Sequence, residues 1–231
     1  MYYVFIITFL LFLIYAFIGY IVEIISVSLQ EKKLVLSRGY LIGPIIPIYG
    51  VGALFMILFL SKYRNDLIVL FFMSMIICTT LEYITSLLME KIFGLRWWDY
   101  SARKFNINGR VCLEYGVLFG LGGIAVINIF NPMIKNLLYS VPSILIIITG
   151  NILLFLFILD ILESTYIICK LKVNFSKYIR GDATSEIKRE VLESLSKNTT
   201  LTSRLINAFP HIKYSSSDML RDFNKMINKF K

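Results

Sequence analysis

The chain has 231 residues, 57% of them hydrophobic and 17% charged, with a formal net charge of +9. A soluble domain uses roughly 25% charged residues for its polar skin, so this balance excludes an ordinary soluble enzyme or binding domain and points to a bilayer as solvent. A single histidine, His211, and three dispersed cysteines, Cys78, Cys112 and Cys169, give no spacing for a zinc site, a redox pair or a disulfide framework.

Continuous apolar runs lie at 3–29, 44–60, 67–89, 111–130 and 142–168. Each approaches the length at which a helix crosses ~30 Å of hydrocarbon, and their continuity argues for helices over the alternating strands of a barrel. The expected fold is all-α: a polytopic bundle of about five transmembrane helices over residues 1–169, with an interfacial segment at 91–110 and a small helical tail at 170–231. The first run opens at residue 3 with no basic flank and no small-residue cleavage site, which predicts a retained anchor. Within it Ala16, Gly19, Tyr20 and Glu23 fall at helical spacing, with small residues where a neighbouring helix can come close.

The stretch SRGYLIGPIIPIYGVG (37–52) crowds Gly39, Gly43, Pro44, Pro47, Gly50 and Gly52 ahead of the second span. Pro44 suits a first helical turn, but Pro47 so soon after it breaks regular hydrogen bonding. Interrupted backbone at membrane depth belongs where protein buries it or where it lines a water-filled cavity, as at transporter binding sites. A bend needed only for packing is the other reading. In the third span Thr79, Glu82 and Ser86 share a face, with Glu90 one turn on; Tyr83 follows Glu82. The fourth opens with Glu114 and continues through Gly116 and Gly120, and the fifth carries Asp160 and Glu163.

A carboxylate at the bilayer centre costs up to about 3 kcal/mol, so Glu23, Glu82 and Glu114 together would cost roughly 9 kcal/mol if central, charged and unpaired. All lie near the same ends of their spans, beneath connections carrying Arg38, Arg96, Arg103 and Arg110. This predicts a polar Glu/Arg cluster at that end, serving as a cavity or only as an ion-pair network that orients helices. Lys62, Arg64 and Lys135 are the only basic residues on the opposite side, and the tail from Lys170 holds thirteen basic against six acidic residues. The positive-inside rule therefore predicts a multi-pass cell-membrane protein with the N-terminus outside and the C-terminus cytoplasmic. The basic tail suits the anionic inner leaflet, and no signature of nucleic-acid binding accompanies it.

Between spans three and four lies WWDYSARKFNINGR (97–110). Trp97, Trp98 and Tyr100 fit an aromatic belt, with Phe105 and Ile107 dipping into headgroups. A surface collar explains these and the basic residues. It leaves unexplained Asp99 and the Asn106, Asn108, Gly109 turn, which suit a cap folded over the carboxylates, with Asp99 meeting loop arginines, Asn108 meeting acidic groups and Arg110 within i,i+4 reach of Glu114. In the tail, helices are expected at about 184–197, 200–208 and 217–230.

These strings carry a resemblance. GYIVE (19–23), SRGYLIGPIIPIYGVG, LEYITSLLMEKIFGLRWWDYS (81–101) and FNINGRVCLEY (105–115) resemble ABC-transporter permeases of the CmpB type, over roughly residues 14–130, and RLINAFPHIKYSS (204–216) is similar to their tails. The matching positions are Glu23, Arg38, Gly39, Pro44, Pro47, Tyr49, Glu82, Tyr83, Trp98, Asp99, Tyr100, Asn106, Gly109 and Arg110. The resemblance implies a transport component and brings no catalytic residue. The chain has no Gly-x-x-x-x-Gly-Lys-Ser/Thr loop, so ATP would be used by a partner ABC ATPase, with no cofactor in this chain. Few spans for a permease imply a homodimer. Two other classes stand beside it: an intramembrane lipid- or polyprenyl-modifying enzyme, with Arg38 and Arg110 clamping a phosphate and Glu23, Glu82 or Asp99 as base, and a membrane adaptor or sensor.

Overall fold

Apolar helices make up most of the chain, as its continuous runs predict. The computed structural model describes residues 1–32, 34–35, 39–93, 95–179 and 213–214, without the side chains of 31, 95, 170–179 and 213–214. Helix α1 spans Tyr2–Glu31 and stops where Lys32 turns left-handed, at φ 52 and ψ 30. Helix α2 (Pro47–Leu60) tightens into a single turn at Ser61–Tyr63. Helix α3 (Leu67–Phe93) starts where the Asp66 carboxylate accepts the Val69 amide at 3.0 Å, a side-chain cap.

Short strands β1 (Leu95–Arg96), β2 (Asn106–Ile107) and β3 (Val111–Cys112) follow. Then come α4 (Leu113–Ala125), a widened π turn at Val126–Phe130, α5 (Asn131–Ser140) and α6 (Ser143–Ile179). Strands β2 and β3 pair antiparallel, Asn106 opposite Cys112. A last strand, β4 (Lys213–Tyr214), pairs antiparallel with β1, Arg96 opposite Lys213. The helices expected elsewhere in the tail, and Arg38, lie outside the described residues.

Three expectations change. Among the described residues four helices are long and apolar enough to cross a membrane, while the second apolar run yields the shorter Pro47–Tyr63. Regular helix cannot begin at 44 because Pro47 has no N–H to give; Ile46 before it is extended, and α2 opens with Pro47 in its first turn. The fourth span does not stop at 130. It runs to Ser140 through the π turn, where the Asn131 amide reaches back to the Val126 carbonyl. The wider ladder carries the helix past Pro132, which would otherwise clash with a carbonyl one turn earlier. Helix α6 continues beyond 168 to Ile179, so its 37 residues measure ~55 Å, well over a bilayer's hydrocarbon.

The helices associate through small residues, since lipid offers no hydrophobic drive between them. A Cβ on Gly19 of α1 would land in the Tyr49 ring of α2. Across α3 and α4, a Cβ on Gly120 would stand 2.7 Å from the Phe71 ring, and one on Gly123 would overlap the Ser74 side chain. Buried Leu10, Tyr15, Met56, Leu70, Ile127 and Ile134 fill the space between α1, α2, α3 and the α4–α5 rod. A valine at Gly123 is therefore expected to prise α3 from α4 and lower the thermal midpoint in detergent, at about 1–3 kcal/mol. Gly122 faces open space, so Gly122→Val should leave the midpoint near wild type; equal midpoints for both variants would refute the close-packing account.

Candidate functional site

The connection between α3 and α4 is a folded hairpin with its own internal hydrogen bonds. Tyr100 donates its amide to the Gly109 carbonyl at 2.7 Å, and Arg110 donates its amide to Ile107 at 3.0 Å. Asn106 braces the interior: its side-chain amide donates to the Arg103 carbonyl at 2.7 Å and its oxygen accepts the Gly109 amide at 3.0 Å. Asn108 and Gly109 both take positive φ, 53° and 66°. Only glycine fits at 109, since a Cβ there would stand 2.5 Å from the Asp99 Oδ1 and Ser101 Oγ atoms. The Trp98 indole closes the loop by donating to the Arg110 carbonyl at 2.9 Å.

Arg110 pins this hairpin to α3. Its side chain is buried, with Nη1 donating to Ser86 Oγ at 3.1 Å and Nη2 meeting Glu90 Oε2 at 2.5 Å. Glu90 also faces Arg96 at 3.5 Å, and Arg96 reaches Asp99 at 3.7 Å. Arginine–carboxylate pairs do form at this end, but the expected cluster of Glu23, Glu82 and Glu114 with the loop arginines does not: among the described residues only Glu114 of the three meets an arginine, and Arg110 and Arg96 are taken by Glu90 and Asp99. Arg110 does not pair with Glu114; that carboxylate turns outward to Arg103 at 3.1 Å, in an exposed pair that adds little stability. Helical reach favoured Glu114, but Arg110 precedes α4 and its side chain folds back toward α3. Asn108 meets the Tyr83 hydroxyl at 3.0 Å, not an acid. Asp99 meets Arg96 as expected.

Trp97 is not an interfacial belt residue. It is buried against Tyr40, Phe93 and Ile168, edge-on to both aromatic rings. Phe105 and Ile107 are exposed at the hairpin tip, where an insertion into headgroups needs them.

A second acidic group lies apart from the arginines. Glu82 is 8% exposed; its Oε1 accepts the Tyr100 hydroxyl at 3.0 Å, while its buried Oε2 has no hydrogen-bond partner among the described residues. Glu23 accepts the Tyr49 hydroxyl at 3.0 Å. Tyr115 stacks on Tyr100 at 4.8 Å between centroids and is tied to α1 through Gln30 at 3.3 Å. Tyr100 feels both carboxylates: burial first, then Glu82, Tyr115 and Glu23, push its hydroxyl up, so it stays protonated as the donor to Glu82. Among the described residues no basic side chain pairs with Glu23 or Glu82.

The Gly/Pro stretch is held from α6. Asp160 accepts the Ile42 amide at 2.8 Å and the Gly43 amide at 2.9 Å, and Ser164, fully buried, accepts the Ile42 amide at 3.1 Å while donating to Asp160 at 3.0 Å. Gly39 has φ 88°, the Tyr40 hydroxyl bonds Thr165, and Ile46 donates to the Ala16 carbonyl of α1 at 3.1 Å. Pro44 is exposed, and Gly50 is buried against Phe12 of α1. Two residues beyond Pro47, the Tyr49 hydroxyl arrives at Glu23. Sequence reasoning placed Asp160 beside Glu163, which is exposed, and missed its tie to residues 42–43. The available signal was Ser164 one turn after Asp160, on the same face of the helix.

A family model described as "Putative ABC-transporter type IV" (CmpB) matches residues 10–165, a stretch that contains every side chain of both acidic groups and of the α6 clamp. No curated protein and no solved structure matches this chain.

Proposed function

The chain belongs to the ABC-transporter type IV family, and from that premise we propose that it is the permease-like membrane component of a transport system driven by a separate ABC ATPase. The observation that carries this reading is Glu82: a carboxyl group buried in a membrane-length helix, with one oxygen free of hydrogen bonds and no cation beside it among the described residues. Such a group is costly in a bilayer and is expected where a pathway or site needs it. The interrupted backbone at 39–46, leading into the short α2 beside Glu23, supports the same reading, because broken helices serve transport sites. In this arrangement Glu23, Tyr49, Glu82, Tyr100 and Tyr115 line a polar pocket open toward the cytoplasm, and the 97–110 hairpin caps it.

Positive residues set the topology, with the N-terminus outside and the tail in the cytoplasm against the anionic leaflet. The ATPase docks on the cytoplasmic hairpin and tail, and two copies of this chain supply enough helices to enclose a pathway. An intramembrane enzyme acting on lipid phosphates has less support: Arg110, its expected clamp, is buried and spends its guanidinium on Ser86 and Glu90.

Full-length tagged protein, crosslinked in its native membrane and solubilised in mild detergent, is expected to bring down an ATPase subunit linked to residues 91–110 or to the tail. Recovery of the intact chain with no ATPase, across several crosslinker lengths, overturns the reading.

A further inference from the structure

The tip of the α3–α4 hairpin carries side chains that the folded chain does not use. Phe105 is 78% exposed and Ile107 59%, while Val111, opposite Ile107 across the strand pair, is buried. Phe105 also sits at φ 52°, a left-handed conformation that bulky residues avoid. Glycine would relieve the backbone and a polar residue would suit water, so a phenylalanine here calls for an apolar contact from outside the chain. Lys104 beside it is exposed and forms no ion pair among the described residues; Arg103 is exposed too and shares its charge with Glu114. The Leu113 amide donates to the Phe105 carbonyl at 3.3 Å, which sets the tip against the first residue of α4. From there Leu113, Val117 and Leu121 follow one turn apart, all exposed on a helix of membrane length. The tip thus continues the surface on which α4 meets lipid.

We infer that residues 103–107 form a docking surface for an anionic lipid leaflet: Phe105 and Ile107 enter the headgroup layer while Lys104 meets lipid phosphate. Apolar area and basic charge side by side are what a segment lying on a bilayer surface needs. A basic residue close to anionic lipid strengthens such a contact by about fivefold. The chain already spans the bilayer, so lipid is always within reach of the tip. The chain's own tail is the wrong occupant by charge, with thirteen basic against six acidic residues from Lys170 onward. A soluble partner is disfavoured by the position of the tip, beside the lipid-facing stripe of α4. Asn106 braces the hairpin and Arg110 pins it to α3, so lipid held at the tip steadies the segment that carries Tyr100 to Glu82.

The test uses the full-length protein, without any ATPase, in nanodiscs of phosphatidylcholine with about one quarter phosphatidylglycerol, against nanodiscs of phosphatidylcholine alone. A phosphatidylglycerol carrying a photoactivatable group near its glycerol is expected to crosslink to the tryptic peptide 105–110 of the wild-type chain. Phe105→Gly should lower that yield at least about fivefold. Its thermal midpoint should stay near wild type, because glycine accepts the φ at 105, so the loss of crosslink is not a loss of fold. Ile107→Cys and, as reference, Ala102→Cys at an exposed turn are then labelled with a membrane-impermeant maleimide. Tryptic peptides 97–103 and 105–110 contain no native cysteine, so each label is read by itself. In anionic nanodiscs Ile107→Cys should react at least about fivefold more slowly than Ala102→Cys, and the gap should narrow in phosphatidylcholine alone and with Lys104→Gln. Equal rates in anionic nanodiscs, or no lipid crosslink to peptide 105–110, overturn the inference. Shielding that is the same in both lipids overturns it too and gives the tip to another part of the chain. Shielding that arises only once an ATPase is added overturns it in favour of that partner. A missing ATPase would sink the transporter reading and leave the lipid result standing.

Discussion

Arg110→Ala is expected to release the 97–110 hairpin from α3 and abolish whatever activity the hairpin supports. Arg110 is 8% exposed and holds Ser86 and Glu90 at once, so its removal strands Glu90 in a partly buried position where, among the described residues, it faces only the more distant Arg96. Breaking a buried ion pair by deleting one partner costs about 3–5 kcal/mol. Glu90 is somewhat exposed, which places this case toward the low end. Removing the stranded charge as well should recover part of the loss, so Arg110→Ala/Glu90→Gln is expected to unfold at a higher temperature than Arg110→Ala. Adding Glu114→Ala instead should recover nothing, because Glu114 belongs to Arg103. Arg110→Lys should behave nearly as badly as alanine, since one ammonium cannot reproduce a fork that serves a hydroxyl and a carboxylate. Thermal midpoints in detergent and the rate of tryptic cleavage after Arg103 and Lys104 read the result. A wild-type midpoint with unchanged cleavage in Arg110→Ala, or a better rescue from Glu114 than from Glu90, would refute the pinning.

The pairing at Arg110 also shows what a sequence can and cannot disclose here. Helix existence was legible, because a bilayer demands long apolar runs and these are visible without any tertiary information. The shared face of Thr79, Glu82, Ser86 and Glu90 was legible too, since it follows from helical period alone, and it is the face on which Arg110 and Tyr100 land. Glycine at 109 was legible from the demand for positive φ. Which acid Arg110 would choose was not. Reach along α4 pointed to Glu114, but the direction in which the hairpin folds is set by Trp98 bonding the Arg110 carbonyl and by Asn106 bracing the loop, and neither appears in a periodicity. Trp97 was misread for the same reason: adjacent tryptophans fit an interfacial belt, yet only Trp98 stays near the hairpin while Trp97 turns into a cluster with Tyr40 and Phe93. Span ends were misplaced beside prolines, although the break at Pro47 was itself expected. Pro132 did not end its helix because a π turn absorbed it, and Pro47 delayed α2 past the first apolar residues.

Asp160→Ala is the other substitution expected to have a large effect, and its consequences reach the site from a distance. The Gly/Pro stretch cannot make helical hydrogen bonds, so its backbone amides at Ile42 and Gly43 depend on Asp160. A buried donor left unsatisfied costs about 1–3 kcal/mol; the Ile42 amide keeps Ser164, so the Gly43 amide and the Ser164 hydroxyl are the two donors stranded, at roughly 2–6 kcal/mol together. The substitutions should form a graded series. Asp160→Asn keeps one oxygen for an amide but turns an N–H group against the other, so it should fall between alanine and wild type. Ser164→Ala should cost least, because the Ile42 amide retains Asp160. Glu163→Ala, on the exposed side of α6, should change nothing. The functional readout follows from chain continuity: a loosened 39–46 segment lets Pro47 and Tyr49 shift, and the Tyr49 hydroxyl leaves Glu23. Asp160→Ala is therefore expected to raise carbodiimide modification of Glu23 although Asp160 does not touch it, and the rise should track the thermal midpoint along the series. A series in which asparagine and alanine match wild type in both midpoint and modification would mean that the interrupted segment is held by something other than α6.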